Sequence, residues 1–186
     1  MTATNLTKTG ASRHVKNKRW LSVALLAGLL AAGSIGSSPR WAAAEAYWKA
    51  DRILVKKAER RLYLLRDDAV IASYKVALGG NPVGPKYFQG DSRTPEGTYT
   101  IDARNAGSRF YRALKISYPS YEDRARARQY GAPAGGLVMI HGQPNQRRRN
   151  HDAASDWTDG CIAVSNHEMD EIWAAVDLGT PIEIEP

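Results

Sequence analysis

Short apolar runs cut off by turn residues limit what this chain can become more than any other feature of it. Arg52 to Lys57, Leu62 to Leu65, Val70 to Leu78, Thr98 to Asp102, Leu114 to Tyr118 and Ile182 to Ile184 are all too short for independent helices and rich in branched or aromatic residues. They read as strands. Ala58-Glu59-Arg60 and Asp67-Asp68 are turns between the first three, which predicts an antiparallel meander. Val70, Ala72, Tyr74 and Val76 are expected on one face of the third strand. Only two stretches read as helices. Ser120 caps a short one over Tyr121 to Tyr130, ended by Gly131 and Pro133, and its arginines Arg124, Arg126 and Arg128 are expected to be mostly solvated. Ser165 and Glu168 form a capping box, and Met169, Ile172, Trp173 and Val176 follow at i, i+3, i+4 and i+7 as an apolar stripe. The sum is a mostly β domain, a β-sandwich or partly closed barrel with one packed helix and a short second one.

Two further apolar runs carry reactive side chains at their ends. Leu137 to Ile140 closes on His141-Gly142, and Gly160-Cys161 opens the run to Val164. Cys161 is the only cysteine of the 186 residues. An imidazole and a thiol at strand ends can form a nucleophile–base pair on a rigid frame. Between the third and fourth strands, Gly79 to Gly97 is a long loop punctuated by glycine and proline. A loop of that length in a compact domain is expected to be shaped for function.

The N-terminus reads as an export signal. Residues 1–19 are polar and basic, an apolar run follows from Trp20 to about Ile35, and Ala42-Ala43-Ala44 offers small residues for cleavage. The run is shorter than the ~20 residues a spanning helix needs, an uncleaved anchor being the other reading. Without a cysteine there, lipid modification is excluded. Residues 1–44 hold six of the 26 basic residues and none of the 19 acidic ones, leaving 20 against 19. Six of the seven net positive charges therefore belong to the signal, and the electrostatic case for nucleic acid disappears. The domain plan is a signal over 1–44, a linker over 45–51 and a catalytic domain over 52–186, with membrane contact only through the signal. One cysteine and scattered histidines give no zinc spacing, and no glycine loop precedes a helix to cradle phosphate. No cofactor or metal is expected. A lone thiol in an oxidising compartment has no internal disulfide partner and is expected to be reactive.

His141-Gly142 followed by Thr158-Asp159-Gly160-Cys161 resembles the signature of the L,D-transpeptidase catalytic domain, the YkuD type. Arg93-Thr94-Pro95-Glu96-Gly97-Thr98-Tyr99 and the closing Gly179 to Ile184 look like further motifs of that family, so the resemblance covers roughly Arg52 to Pro186. It implies an exported, periplasmic or envelope enzyme of peptidoglycan biosynthesis that acts on stem peptides. In such enzymes the thiolate attacks the carbonyl joining diaminopimelate to a terminal D-alanine. An amine then takes the acyl group, making a 3–3 cross-link or attaching an envelope protein. The resemblance makes Cys161 the nucleophile, His141 the base, and the Gly142 carbonyl the group that orients it. Gly160 and Cys161 would offer backbone donors to the oxyanion. Thr158, Asp159, Arg93 and Arg147 are the substrate-binding candidates. Two positions depart from the pattern. Asp159 stands where histidine is frequent, and either tethers a basic substrate group or raises the thiol pKa. Ala163 stands where arginine is common, leaving Arg93 or one of Arg147 to Arg149 to meet a substrate carboxylate. His151 and His167 are the competing histidines. Two other outcomes remain open, namely hydrolysis by the same site (a carboxypeptidase or an amidase) and a wall-binding module without catalysis.

Overall fold

The computed structural model describes residues 48–146 and 155–186. The predicted signal, the first three residues of the linker, Arg147 to Arg149 and His151 lie outside those residues. The strands are β1 (Arg52–Lys56), β2 (Arg61–Arg66), β3 (Ala69–Lys75), β4 (Gly97–Ser108), β5 (Tyr111–Ile116), β6 (Met139–His141), β7 (Ile162–Ala163) and β8 (Pro181–Glu185). The helices are α1 (Tyr121–Gln129) and α2 (Asn166–Ala175).

The first three strands form the expected antiparallel meander. β8 returns alongside β1 in parallel and pairs on its other side with the first half of β4. The second half of β4 turns to pair with β5, and β6 and β7 follow, giving the order β3-β2-β1-β8-β4-β5-β6-β7. The sheet is mixed and not closed. A single bridge of two 2.9 Å backbone hydrogen bonds, between Ala77 and Ala163, joins the chain beyond β3 to β7. β4 is longer than the expected strand from Thr98 to Asp102 because Ala103, Arg104, Asn105 and Ser108 also pair with β5, with no apolar alternation to announce them.

Ile53, Val55, Leu62, Leu114, Ile116, Ile140, Ile162 and Ile182 are fully buried between the strands and α2. Each such side chain contributes ~1.5–3 kcal/mol of apolar transfer. Both helices begin in capping boxes, with Ser120 and Asp123 at α1, and Ser165 and Glu168 at α2. Met169 and Ile172 are buried as the stripe requires, while Val176 serves as the cap residue after the helix ends. Trp173 is only partly buried and lies under the guanidinium of Arg104, 4.0 Å from the ring centroid. Of the arginines on α1, Arg124 and Arg128 are exposed, whereas Arg126 reaches Asp123 and the Lys86 carbonyl.

One strand face needs correction. Val70 is 57% exposed rather than aligned with Tyr74 and Val76 in the core. Leu64 pairs with Ala72 and Leu65 with Val70, so Ile71 is an extra residue opposite one step of β2. Such a bulge turns the side chains before it to the other face.

The long loop is tied to the sheet by Lys57, the last residue before the first turn. Its ammonium donates to the Gly84 carbonyl at 2.7 Å, the Thr94 carbonyl at 3.0 Å and Glu96 Oε1 at 2.8 Å. Three donors meet three acceptors, so a buried charge is fully satisfied and both ends of the loop are pinned to β1. Among the described residues, no helix is long and apolar enough to cross a membrane.

Candidate active site

The parallel pair of β6 and β7 sets Ile140 opposite Ile162 and His141 opposite Ala163. Ile140 and Ile162 are both fully buried in the core. Alternation along a strand therefore turns Met139, His141, Cys161 and Ala163 to the opposite face. His141 and Cys161 are diagonal neighbours there, on adjacent strands and about two residues apart in register. A separation of 20 positions in sequence becomes one step across the sheet.

His141 is only 4% exposed. Its Nδ1 lies 2.7 Å from the Gly142 carbonyl oxygen, which can only accept, so Nδ1 carries the proton and Nε2 keeps its lone pair. Phe110 packs over the imidazole at 4.6 Å between centroids, and Trp157 meets it edge-on at 5.8 Å. Burial lowers the imidazole pKa, against a smaller upward pull from the Gly142 carbonyl. The ring is thus neutral near pH 7, in the tautomer that can take a proton at Nε2.

Cys161 is half-buried, and its Sγ lies 3.6 Å from the Leu137 carbonyl. Burial raises the thiol pKa, and the Asp159 carboxylate adds to that, while the Met139 amide and Lys86 oppose it. Both shifts favour the uncharged forms, a thiol and a neutral imidazole.

The turn before Cys161 is built by Thr158. Its hydroxyl donates to the Cys161 carbonyl at 2.7 Å and accepts from the Gly160 amide at 3.1 Å. The Gly160 amide, expected at the oxyanion, is thus directed to Thr158. Thr158 is buried and serves the turn rather than the open cleft. Gly160 is needed for another reason as well. Its φ is +126°, and a Cβ there would stand 2.5 Å from the Arg93 carbonyl oxygen. The crowding comes from the long loop, which passes directly over the turn.

Cys161 opens onto a cleft of about 390 Å³ whose walls include Lys86, Gln89, Ser92, Leu137 and Asp159. His141 is buried and is not part of the lining of this cleft. A larger groove of about 830 Å³, between Trp48, Ile71, Tyr74 and Ala174, shares no residue with it and lacks the thiol. The cleft is therefore the candidate site. Asp159 is exposed on its rim. The Arg93 guanidinium lies over Tyr87, 5.2 Å from the ring centroid, so the loop backbone of Arg93 is nearer to the turn than its charge is. His167 is 86% exposed and pairs with Glu171, apart from the cleft. Arg147 falls outside the described residues. Among the described residues no group of His, Cys, Asp and Glu is arranged to hold a metal.

Sequence reasoning missed three groups. Lys86 and Asp91 form an ion pair at 2.6 Å with both side chains 5% exposed, and Phe110 covers the imidazole. The pair's only trace in sequence was its place within a loop already marked as shaped. Nothing local announced Phe110.

Comparison with known proteins identifies the family. Residues 50–184 match the YkuD family, described as the L,D-transpeptidase catalytic domain. The candidate L,D-transpeptidase YafK of Escherichia coli (strain K12) is 34% identical over 109 residues, which is 58% of this chain and 37% of YafK. The candidate L,D-transpeptidase YqjB of Bacillus subtilis (strain 168) is 27% identical over 152 residues, covering 79% of this chain and 78% of YqjB. The crystal structure of the helical cell shape determining protein Pgp2 from Campylobacter jejuni superposes with a TM-score of 0.55 at 23% identity, over 76% of this chain and 55% of that one. The chain thus spans little more than a third of YafK and about half of Pgp2. A match over most of its length, together with the order of the motifs, places this chain in the YkuD family of L,D-transpeptidase catalytic domains.

Proposed function

We propose that this protein is an exported cysteine acyltransferase that acts on peptidoglycan stem peptides in the periplasm or cell envelope. The observation that carries the reading is the imidazole at the edge of the Cys161 turn, with Nδ1–H held by the Gly142 carbonyl and Nε2 left as a base. The Sγ proton passes to Nε2 as sulfur attacks the carbonyl joining diaminopimelate to the terminal D-alanine of a tetrapeptide stem. The Cys161 amide is the backbone donor assigned to the oxyanion, since the Gly160 amide is held by Thr158. The C–N bond then breaks, the imidazolium returns its proton to the leaving amine, and D-alanine departs. An acceptor amine attacks the thioester, the imidazole takes the proton that amine gives up, and the sulfur is released and reprotonated. The product is a 3–3 cross-link, or an attached envelope protein where the amine belongs to one.

Incubating the protein with purified tetrapeptide stems and weighing the products tests this. Loss of D-alanine with dimer formation, abolished in Cys161→Ala, is the expected result. Tripeptide monomers alone would make water the acceptor and the protein a hydrolase. Unaltered stems, with Cys161 left free by a carbapenem, would favour a binding module. Dimer formation that persists in Cys161→Ala would refute the assignment.

A further inference from the structure

Two lysines are almost completely buried in this domain, and they are used differently. Lys57 meets three acceptors and has no proton left to offer. Lys86 meets a single acceptor among the described residues, Asp91 Oδ1 at 2.6 Å. An ammonium carries three donors, so two remain. A buried cation is costly to leave unsatisfied, and that cost is tolerated where a ligand completes its shell. Lys86 lines the Cys161 cleft, and its Nζ lies 3.6 Å from where a Cβ on Gly160 would stand. The unused donors are thus next to the residue that precedes the nucleophile.

The ammonium is also held still. Asp91 receives the Tyr87, Phe88 and Arg93 amides besides Lys86, so its two oxygens are fully engaged. The Lys86 carbonyl accepts from Arg126 of α1 at 3.3 Å. A fixed, partly unsatisfied cation in a cleft is a preorganised anion site. The other cations considered for that role are placed less well. The Arg93 guanidinium lies over Tyr87, and β7 offers none, because Ala163 is 1% exposed and hydrogen-bonded to Ala77 through both backbone groups.

We infer that Lys86 is a substrate-anchoring residue that binds a carboxylate of the stem peptide and sets it against Cys161. This rests on the acyl-transfer reading above. Of the free carboxylates of a tetrapeptide stem, the terminal one on D-alanine and the one on the diaminopimelate side chain belong to the two residues that the scissile bond joins, and these are the candidates. Either way the cleft selects free acids over amides.

The test compares three stems, namely the free acid, the terminal amide and the side-chain amide, each assayed for D-alanine or D-alaninamide release. The wild-type protein should prefer the free acid over one of the two amides by about tenfold to a hundredfold in kcat/KM, the range for a hydrogen bond between charged groups. Which amide loses identifies the carboxylate. Lys86→Met should bring that ratio close to one, and Lys86→Arg should retain most of it. A merely structural role slows all stems alike, and so does any effect on the thiol, so neither moves the ratio. Should Lys86→Met fail to fold, Lys86→Gln preserves a donor to Asp91 without the charge and answers the same question. A wild-type protein indifferent to both amidations, or a ratio that survives in Lys86→Met, overturns the inference while leaving Cys161 chemistry in place. Turnover that persists in Cys161→Ala instead overturns the reading beneath it.

Discussion

Replacing Asp159 with asparagine isolates one contribution to the nucleophile's ionisation. Burial holds the Cys161 thiol above its ordinary value, and the Asp159 carboxylate pushes in the same direction. Asp159 is exposed and two residues away, so the Cα atoms are at most ~7 Å apart, and that separation sets the scale of the charge–sulfur distance. At that distance and near the dielectric of water, a unit charge contributes about 0.6 kcal/mol. Removing a negative charge favours the thiolate, so the sign is downward. Iodoacetamide is uncharged and the chain has one cysteine, so the pH dependence of alkylation reports this thiol alone. In Asp159→Asn the midpoint should fall. The rate at pH 7 should rise only about twofold, because a less basic thiolate is also a weaker nucleophile. The shift should vanish in 1 M salt, where the screening length is only ~3 Å. Lys86→Met should move the midpoint upward, since Lys86 opposes the rise. A midpoint in Asp159→Asn that stays put or rises would refute the electrostatic account, and would leave substrate tethering as the role of this carboxylate.

Lys57→Met should lower stability by about 2–4 kcal/mol, because it strands two carbonyls and the Glu96 carboxylate. Thermal melting measures the loss, and hydrogen exchange should locate it in the loop from Gly79 to Gly97. The Lys57→Met/Glu96→Gln double variant should recover part of it by removing the stranded charge. His141 makes the protein acid-sensitive in a defined direction. Its folded pKa lies below the ordinary 6.5, so protons bind the unfolded chain first. Its contribution to stability is complete above pH 6.5 and is lost as pH falls from there through the folded value. His141→Asn should lack that component in melting curves taken from pH 7.5 to 5, and an unchanged acid slope would remove the imidazole as its source.

Whatever depends on neighbours along the chain could be read from the sequence. Ser120 and Ser165 cap the two helices because capping needs a side chain and an amide three residues on. The meander of β1 to β3 followed from its short turns, and the His141 and Cys161 strand ends from their glycine-flanked apolar runs. The fold decided everything that depends on which distant segments meet. Parallel pairing of β6 with β7 makes His141 and Cys161 diagonal neighbours, and parallel strands have no tight turn to mark their partners. The bulge at Ile71 exposes Val70 against its alternation, since register belongs to both strands and not to either alone. Nothing local in the sequence sets Lys57 and Lys86 apart from the other lysines. Only their acceptors, brought in by a loop folding back over the turn, make one a clamp and leave the other with donors facing the cleft.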